Sequence, residues 1–391
     1  MLDTKSNPNI LIVYFIALGA FSLGMASYIT AGLIPLIQNE FDISIALTAQ
    51  LVTVFTLAYG IGSPVVVALS PENKQRLILL LALFIFSISN LISGLAPNFF
   101  ILLISRIFAG IGAGVYLAIG ISISTALVQP DQRGQAISII MSGMAAGTVL
   151  GVPLGLIISN QFGWQTSMYL ITILGLVSFY GLYIKLPIIP NLITQSLSKK
   201  LRLLKDINVL KILFISLLAA ISSLGLYTYL FPLLSSDEFG SIENITPFLW
   251  IWGIGGIIGS FVVGHVSKKI SNEKLTAIIM FILSIALLLI PFFATITPWL
   301  TLIPIAIWGA VGWALQVPQN EQLILVREKT GGGNLAVALN ESALYLGGAL
   351  GAGIGGLFFY FHISLWLLPI FASAVVFIGF IYQVTHINQS K

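Results

Sequence analysis

The sequence contains no cysteine and very little charge. Of its 391 residues, none is cysteine and 8% are Asp, Glu, Lys or Arg, whereas roughly a quarter are charged in an ordinary soluble domain. The absence of cysteine excludes disulfides, thiolate metal ligands and cysteine nucleophiles. The hydrophobic fraction of 58% and the mean hydropathy of +1.03 exceed what a soluble core can bury. The composition therefore predicts a protein embedded in lipid.

Long apolar runs take the place of the missing charge. About 20 apolar residues cross the hydrocarbon of a bilayer, and twelve runs reach that length, separated after the sixth by a polar, basic stretch. We predict an all-α polytopic protein with an N-terminal six-helix bundle (1–187), a cytosolic linker (188–208) and a C-terminal six-helix bundle (209–391). The predicted spans, numbered 1 to 12, are residues 10–34, 47–69, 77–96, 99–127, 134–159, 164–187, 209–234, 246–266, 273–294, 298–326, 334–361 and 363–385.

The positions of the basic residues predict the orientation. With a cytosolic N-terminus, every one of the 17 Lys and Arg residues except Arg106 lies on the cytosolic side, and Arg106 lies inside a span. Basic residues are enriched in cytosolic loops of membrane proteins. We therefore expect a multi-pass membrane protein with both termini in the cytosol. This topology also explains the pI of about 9.2 without nucleic-acid binding.

Glycines spaced by four recur in spans 5 and 11, on either side of the linker. The two sets are separated by 200 residues, which indicates a duplicated six-span unit. Such a stripe allows a second helix to pack closely, and Pro153 within it removes a helical hydrogen bond and predicts a bend. One interpretation is ordinary packing of small residues, and the other is a conformational seam where the two stripes meet. The residues of this predicted seam are Gly147, Gly151, Pro153, Gly155, Gly347, Gly351 and Gly355.

Several segments resemble the major facilitator superfamily. "GTVLGVPLG" (147–155), followed by "QFGWQTSMYL" (161–170), resembles its antiporter motif of span 5, and "ISRIFAGIGAG" (104–114) resembles its span 4 motif. "AGLIPLI", "LYTYLFPLL" and "NESALYLGGALGAGIGG" resemble the arabinose-efflux-permease-like bacterial exporters among the drug–proton antiporters. The resemblance implies two pseudo-symmetric six-helix bundles in the bacterial inner membrane. It also implies alternating access, and export driven by a proton gradient without a bound cofactor.

Three departures from that family pattern concern charge. Ser27 stands where relatives often have a glutamate in span 1. The loop after span 2 keeps only Gly62, Lys74 and Arg76 of the family motif, with Glu72 as the candidate for its acid, and lacks the usual aspartate and arginine cluster. After span 8, Ser267 stands where an acid is expected. The charge latch between the loops and the identity of the proton-binding residue are therefore left open.

Three ionisable residues lie inside the predicted spans, where each costs several kcal/mol unless it faces the protein interior or water. We predict that Arg106 is a cavity cation, and the alternative is a structural arginine bonded to backbone carbonyls of span 1. Because Ser27 replaces the family acid, the proton-coupling residue is predicted to be Glu341 or Glu321.

Polar side chains inside the spans suggest a binding site for a moderately apolar organic molecule. Gln316, Gln319 and Asn320 share a face beside Pro318, where a kink is predicted. Three tyrosines lie on spans that line the cavity in this superfamily, although packing is the alternative for each. The predicted substrate-binding residues are Arg106, Tyr28, Tyr116, Tyr227, Gln316 and Asn320.

We therefore predict a secondary active transporter that exports a drug, sugar, nucleoside or metallophore-like solute by proton-coupled antiport. The sequence offers no catalytic residue set, metal-ligating cluster or phosphate-binding loop, so no enzyme is predicted. The expected partners are the small-molecule substrate and the lipid bilayer, without nucleic acid, and the protein is expected to be a monomer. The alternatives are a non-transporting receptor or assembly factor on the same scaffold, and an uncoupled or uptake facilitator.

Overall fold

The computed structural model describes residues 8–43, 45–187, 202–242, 244–328 and 331–389. The described residues form twelve helices that are long and apolar enough to cross a membrane, so the predicted all-α polytopic fold is confirmed. Most of the predicted linker, at 188–201, lies outside the described residues. The observed spans, which keep the numbers 1 to 12, are Ile10–Thr30, Gln50–Leu69, Gln75–Gly94, Phe99–Leu127, Pro130–Phe162, Gln165–Lys185, Ile207–Thr228, Thr246–Val266, Asn272–Ile296, Pro298–Arg327, Gly333–Phe358 and Leu367–Ile387.

Nine of the described spans are continuous α-helices. Apolar residues occupy nearly every position, because lipid or another helix lies against every face. A short helix, Leu230–Leu234, follows span 7. The continuous helices are Pro8–Phe41 (span 1), Gln75–Gly94 (3), Phe99–Leu127 (4), Gln165–Lys185 (6), Ile207–Thr228 (7), Thr246–Val266 (8), Asn272–Ile296 (9), Gly333–Tyr360 (11) and Leu367–Gln389 (12).

Spans 2, 5 and 10 are interrupted within the described residues, each close to a proline. A proline ring clashes with the carbonyl four residues earlier and lacks the N–H that would bond to it. A wider π turn or a break relieves both problems. Span 2 consists of Ile45–Leu57, a π turn at Ala58–Gly62 and Ser63–Leu69; span 5 of Arg133–Ala146, a π turn at Gly147–Gly151 and Val152–Phe162; and span 10 of Leu302–Ala314 and Gln316–Arg327.

The positions of these interruptions follow from the prolines. The carbonyl four residues before Pro153 belongs to Val149, inside the π turn of span 5. The carbonyl four residues before Pro318 belongs to Ala314, where the first helix of span 10 ends. The irregularities predicted at Pro153 and Pro318 are therefore present, as a π turn and as a break.

The chain divides into two compact units. The first comprises Met1–Leu203 with Arg327–Leu339, and the second comprises Leu204–Val326 with Asn340–Lys391. Their division at residue 203 falls inside the predicted linker. The narrower predicted boundaries, at 187 and 209, stay predictions.

The glycine stripe of span 5 packs on span 1, within the first unit. A Cβ added at Gly147 would collide with the carbonyl oxygen of Phe21, and one added at Gly151 would lie 3.0 Å from the Cβ of Met25. The partners advance along span 1 by four residues for each step of four along span 5. They are Ala17, Phe21, Met25 and Ile29, opposite Gly143, Gly147, Gly151 and Gly155.

The glycine stripe of span 11 packs on span 7, within the second unit. A Cβ at Gly351 would collide with the carbonyl oxygen of Ile221 and lie 2.8 Å from the Cα of Gly225. A Cβ added at Gly347 would lie 2.7 Å from the Cβ of Ala220 on span 7.

The prediction that the two stripes pack on each other as a conformational seam is therefore wrong. The nearest atoms to each glycine of both stripes belong to the same unit, and at Gly147, Gly347 and Gly351 they include backbone atoms of the neighbouring span. Pro153 lies beside the first stripe, after its π turn. Gly147, Gly151 and Gly155 face span 1, Gly347 and Gly351 face span 7, and Gly355 faces Tyr229, the residue directly after span 7.

Candidate functional site

Arg106 is buried among spans 1, 2 and 3 of the first unit, with 1% of its surface exposed. Its Nη2 donates to the carbonyl oxygen of Ala26 at 2.9 Å, and its Nη1 donates to Oδ1 of Asn90 at 3.2 Å. The guanidinium also lies 4.4 Å from the ring centroid of Phe55. The alternative interpretation of Arg106, a structural arginine bonded to backbone carbonyls of span 1, requires such a bond, and the bond to Ala26 provides it. A role in substrate binding stays a prediction.

The positive charge of Arg106 has no carboxylate partner in the described part of the chain. Its contacts are two neutral oxygens and an aromatic face, which stabilise a cation less than a carboxylate does. Its Nε makes no hydrogen bond to a described residue. Arg106 therefore contributes a net positive charge to the interior of the first unit.

The three predicted tyrosines have different surroundings. Tyr116 is fully buried, and its hydroxyl donates to the carbonyl oxygen of Ile16 at 3.1 Å. This contact ties span 4 to span 1 and favours the packing role that was the alternative for Tyr116. Tyr28 is half-buried on span 1. Tyr227, also half-buried, stacks near the Trp252 ring at 4.5 Å between centroids.

A polar network joins the break in span 10 to span 11, in the second unit. Asn320 donates through Nδ2 to Oε1 of Gln316 at 3.3 Å. Asn340 donates through Nδ2 to Oδ1 of Asn320 at 3.0 Å. Both asparagines are fully buried. Sequence reasoning identified Gln316 and Asn320 by their spacing beside Pro318, but it did not identify the bridging role of Asn340, which depends on the neighbouring span.

The network retains unused hydrogen-bonding capacity. Both amide atoms of Gln319 are buried without a hydrogen-bond partner among the described residues, and so is Oδ1 of Asn340. An unpaired buried amide is costly and rare in native proteins. These atoms can therefore accept and donate hydrogen bonds to water or to a polar group of a bound solute.

The two acids predicted to bind protons are buried next to this network. Glu341 follows Asn340 directly and is 1% exposed, and Glu321 follows Asn320 directly and is 9% exposed. Each acid is thus adjacent in the chain to one member of the hydrogen-bonded asparagine pair. Although Glu321 lies only six residues before the end of span 10, its side chain is buried inside the protein.

An aromatic cluster lies next to the same region of span 10. The Trp252 ring lies 6.0 Å from Trp308 and 5.9 Å from Trp313, in addition to its contact with Tyr227. Trp308 donates through Nε1 to Oγ of Ser223 at 2.7 Å. Of this cluster the sequence analysis identified only Tyr227, because isolated tryptophans in a membrane protein are usual at its interfaces.

Known proteins share both the sequence pattern and the fold. Residues 16–326 match the family model described as Major Facilitator Superfamily. The chain is 27% identical over 360 residues to the inner membrane transport protein YdhP of Escherichia coli K12, with 92% of each chain covered. It is 25% identical over 346 residues to AraJ of Escherichia coli K12, which covers 88% of this chain and 87% of AraJ.

A solved structure has the same fold at low sequence identity. The MFS (major facilitator superfamily) proton:xylose symporter XylE, bound to 6-bromo-6-deoxy-D-glucose, is similar with a TM-score of 0.77 and 16% identity. The similarity covers 97% of this chain and 96% of that chain. At this level of identity it concerns the fold alone.

Proposed function

Because the chain belongs to the Major Facilitator Superfamily, we propose that it exports a small organic solute across the bacterial inner membrane by proton-coupled antiport. The family match and the twelve spans make it a multi-pass membrane protein of a transporter family. The resemblance to the AraJ-like group, based on segments of spans 1, 7 and 11, is confirmed by YdhP and AraJ. The proposal concerns three properties: the class of solute, the direction of transport and the coupling to protons.

The observation that supports proton coupling is the burial of Glu341 beside Asn340. The observed spans contain four acids, and two of them, Asp131 and Glu273, are exposed in first turns. Only Glu321 and Glu341 are buried in the described spans, and an acid buried in a membrane span marks a functional site. We place proton binding at Glu341, with Glu321 as the alternative acid.

A proton at Glu341 would act through its neighbour. Asn340 holds span 11 to span 10 through its hydrogen bond to Asn320. Gain or loss of charge on the adjacent carboxyl changes the electrostatic potential at that amide pair. Protonation thereby alters the stability of the contact between two spans, which is the local event that coupling requires.

The proposed solute contacts lie in both units. In the second unit, Tyr227, Gln316 and Asn320 combine an aromatic ring with amide groups, which suits an amphipathic organic molecule. In the first unit, Tyr28 and Arg106 are the proposed contacts, and the guanidinium of Arg106 would favour an anionic group on the solute. The burial of Tyr116 and its bond to span 1 favour a scaffold role, so a direct contact with solute is its less favoured role.

One observation favours a second function, that of a facilitator without proton coupling. Ser27 occupies the position where relatives often have a glutamate in span 1. Its hydroxyl donates to the carbonyl oxygen of Leu23 at 2.9 Å, within its own helix. The side chain at this position therefore cannot exchange a proton near neutral pH. Coupling then depends entirely on the acids of the second unit.

Everted membrane vesicles test the proposed function. Drugs, sugars, nucleosides and metallophores are offered with and without an imposed pH gradient, acid inside, and accumulation is measured. We expect at least one solute class to accumulate only with the gradient. Equal movement with and without the gradient would support the facilitator. Movement of no solute in either condition would support a receptor or assembly factor on this scaffold.

A further inference from the structure

We propose that the aromatic cluster of the second unit is a binding site for a neutral aromatic molecule that carries hydrogen-bond acceptors. The cluster consists of Tyr227, Trp252, Trp308 and Trp313, and the hydrogen-bond donors to the ligand are the Nε1 groups of Trp252 and Trp313. The proposal rests on the proposed function in one respect, since it identifies the bound molecule as the transported solute. The binding site itself can be tested without transport.

Trp252 is the centre of the cluster. Its ring lies at 35° to Tyr227, and at 68° and 61° to Trp308 and Trp313, so two of the three contacts are edge-to-face. All three centroid distances, from 4.5 to 6.0 Å, lie in the range at which aromatic rings attract each other. A further flat ring would be attracted to these rings by the same offset and edge-to-face contacts.

Two indole donors in the cluster lack acceptors. Trp252 is 2% exposed and Trp313 is 8% exposed, and neither Nε1 has a hydrogen-bond partner among the described residues. Buried indole N–H groups usually find an acceptor, as Trp308 does with Ser223. Two unpaired donors that lie on adjacent rings indicate that the acceptors come from a ligand.

Glycines on spans 8 and 10 hold the two indoles close together. Gly309 of span 10 faces the backbone of Trp252, because a Cβ there would collide with its carbonyl oxygen. Gly256 of span 8 faces the ring of Trp313, and a Cβ there would lie 2.5 Å from Cδ1 and 3.1 Å from Nε1. Each tryptophan thus packs against a glycine of the opposite span. This reciprocal packing fixes the positions of both donors before a ligand binds.

The sequence around the cluster favours a neutral ligand. The nearest charged residue along span 10 is Glu321, about 12 Å beyond Trp313 at 1.5 Å per residue. Span 8 contains no Asp, Glu, Lys or Arg, and Lys211 of span 7 lies near its opposite end from Tyr227. A buried charge without a partner is costly, so the ligand of this cluster carries aromatic surface and hydrogen-bond acceptors but no net charge.

Dansylamide is a suitable probe, because it is neutral, contains a naphthalene ring system and has sulfonyl oxygens as acceptors. Its binding to the purified full-length protein in detergent is measured by equilibrium dialysis, which does not depend on indole fluorescence. We expect saturable binding. Trp252→Phe and Trp313→Phe should each weaken it about 2- to 10-fold, the effect of losing one neutral hydrogen bond. Naphthalene has no hydrogen-bond acceptor, so loss of an indole N–H should not affect its binding. Its affinities for the wild type and the variants should agree within about twofold.

Trp250→Phe is the matched control. Trp250 lies on the same span, is 48% exposed and is outside the cluster, so this variant should bind dansylamide as the wild type does. Thermal unfolding of each variant establishes that it is folded, and either cluster variant alone suffices for the comparison. Absence of saturable binding, or unchanged affinity in a folded cluster variant, would overturn the site and assign the two N–H groups to water.

Failure of the site and failure of the proposed function give different results. Saturable binding that weakens in both cluster variants, together with no solute movement in vesicles, would keep the site and overturn transport. Gradient-driven accumulation of a solute, together with dansylamide binding that the cluster variants do not change, would keep transport and overturn the site.

Discussion

At the scale of single residues, the most informative side chain is Arg106. It is buried among neutral partners, with its guanidinium shared between the carbonyl of Ala26, the amide of Asn90 and the ring of Phe55. These contacts join span 4 to spans 1, 2 and 3. Arg106 therefore stabilises the first unit whether or not a solute also contacts it.

Replacement of Arg106 separates these two roles. Arg106→Ala leaves the acceptor Oδ1 of Asn90 without its donor, and an unsatisfied buried group costs about 1–3 kcal/mol. We expect the unfolding temperature in detergent to fall, with a smaller fall for Arg106→Lys, which keeps the charge and one donor group. Wild-type stability of Arg106→Ala would show that these contacts do not stabilise the unit, and would leave substrate binding as the sole role.

Replacement of Glu341 tests coupling at the same scale. Glu341→Gln keeps the size and polarity of the side chain but cannot exchange a proton. We expect gradient-driven accumulation of the solute to be lost, while solute binding and downhill exchange stay near wild type.

Two variants complete this test. Glu273→Gln changes an exposed acid at the start of span 9 and should transport normally. If the double variant Glu321→Gln, Glu341→Gln still accumulates solute against a gradient at the wild-type rate, neither acid couples transport to protons.

At the scale of helices, the glycine stripes determine how closely neighbouring spans approach. Span 11 offers a matched pair of positions, because a Cβ at Gly351 would collide with the carbonyl of Ile221, whereas a Cβ at Gly353 would meet nothing within 4 Å. Overpacking typically costs about 1–3 kcal/mol, and replacing glycine by alanine in an open helix position gains up to about 1 kcal/mol.

We therefore expect Gly351→Ala to lower the unfolding temperature in detergent and Gly353→Ala to leave it unchanged or raise it. The two substituted positions lie two residues apart on span 11, and each variant adds one methyl group. Any difference between their unfolding temperatures therefore comes from the contact with span 7. Equal unfolding temperatures would mean that span 7 does not approach Gly351 as closely as the structure places it.

The sequence predicts the helices better than it predicts their partners. Apolar runs and prolines determine the twelve spans and the irregularities at Pro153 and Pro318, since both depend on residues close together in the chain. The spacing of the glycines also predicts that spans 5 and 11 each have a smooth face. The spacing of the glycines does not indicate which helix packs on that face, and for this reason the predicted seam was wrong.

The candidate site shows the same limit. Glu321, Glu341 and Asn320 could be identified from polarity inside an apolar run. The bond between Asn320 and Asn340, like the contact of Tyr116 with Ile16, joins residues on different spans and has no local sequence signal. The tryptophan cluster escaped notice for the same reason, because its members come together only through the packing of spans 8 and 10.

At the scale of the whole molecule, the duplication appears as a repeated contact. In the first unit, the glycines of span 5 face span 1, and in the second unit the glycines of span 11 face span 7. The fifth span of each half thus packs on the first span of the same half. This agreement supports the duplicated six-span unit more directly than the constant offset of the glycines in the sequence does.

The predicted orientation is a property of the whole molecule, and cysteine labelling tests it because the chain contains no native cysteine. Ser241→Cys lies in the loop between spans 7 and 8 and is exposed. It should react with an impermeant thiol reagent added to intact cells. Ser198→Cys, in the predicted cytosolic linker, should react only after permeabilisation. The reverse pattern would overturn the orientation inferred from the basic residues.

Proton movement caused by the solute tests proton-coupled antiport most directly. Proteoliposomes with equal pH on both sides contain a pH-sensitive dye, and the solute identified in vesicles is added outside. Antiport moves protons out as the solute moves in, regardless of how the protein is inserted, so we predict that the lumen becomes alkaline in wild type and stays constant in Glu341→Gln. Acidification of the lumen would show symport, and solute entry without a pH change would show a facilitator; either result contradicts the account.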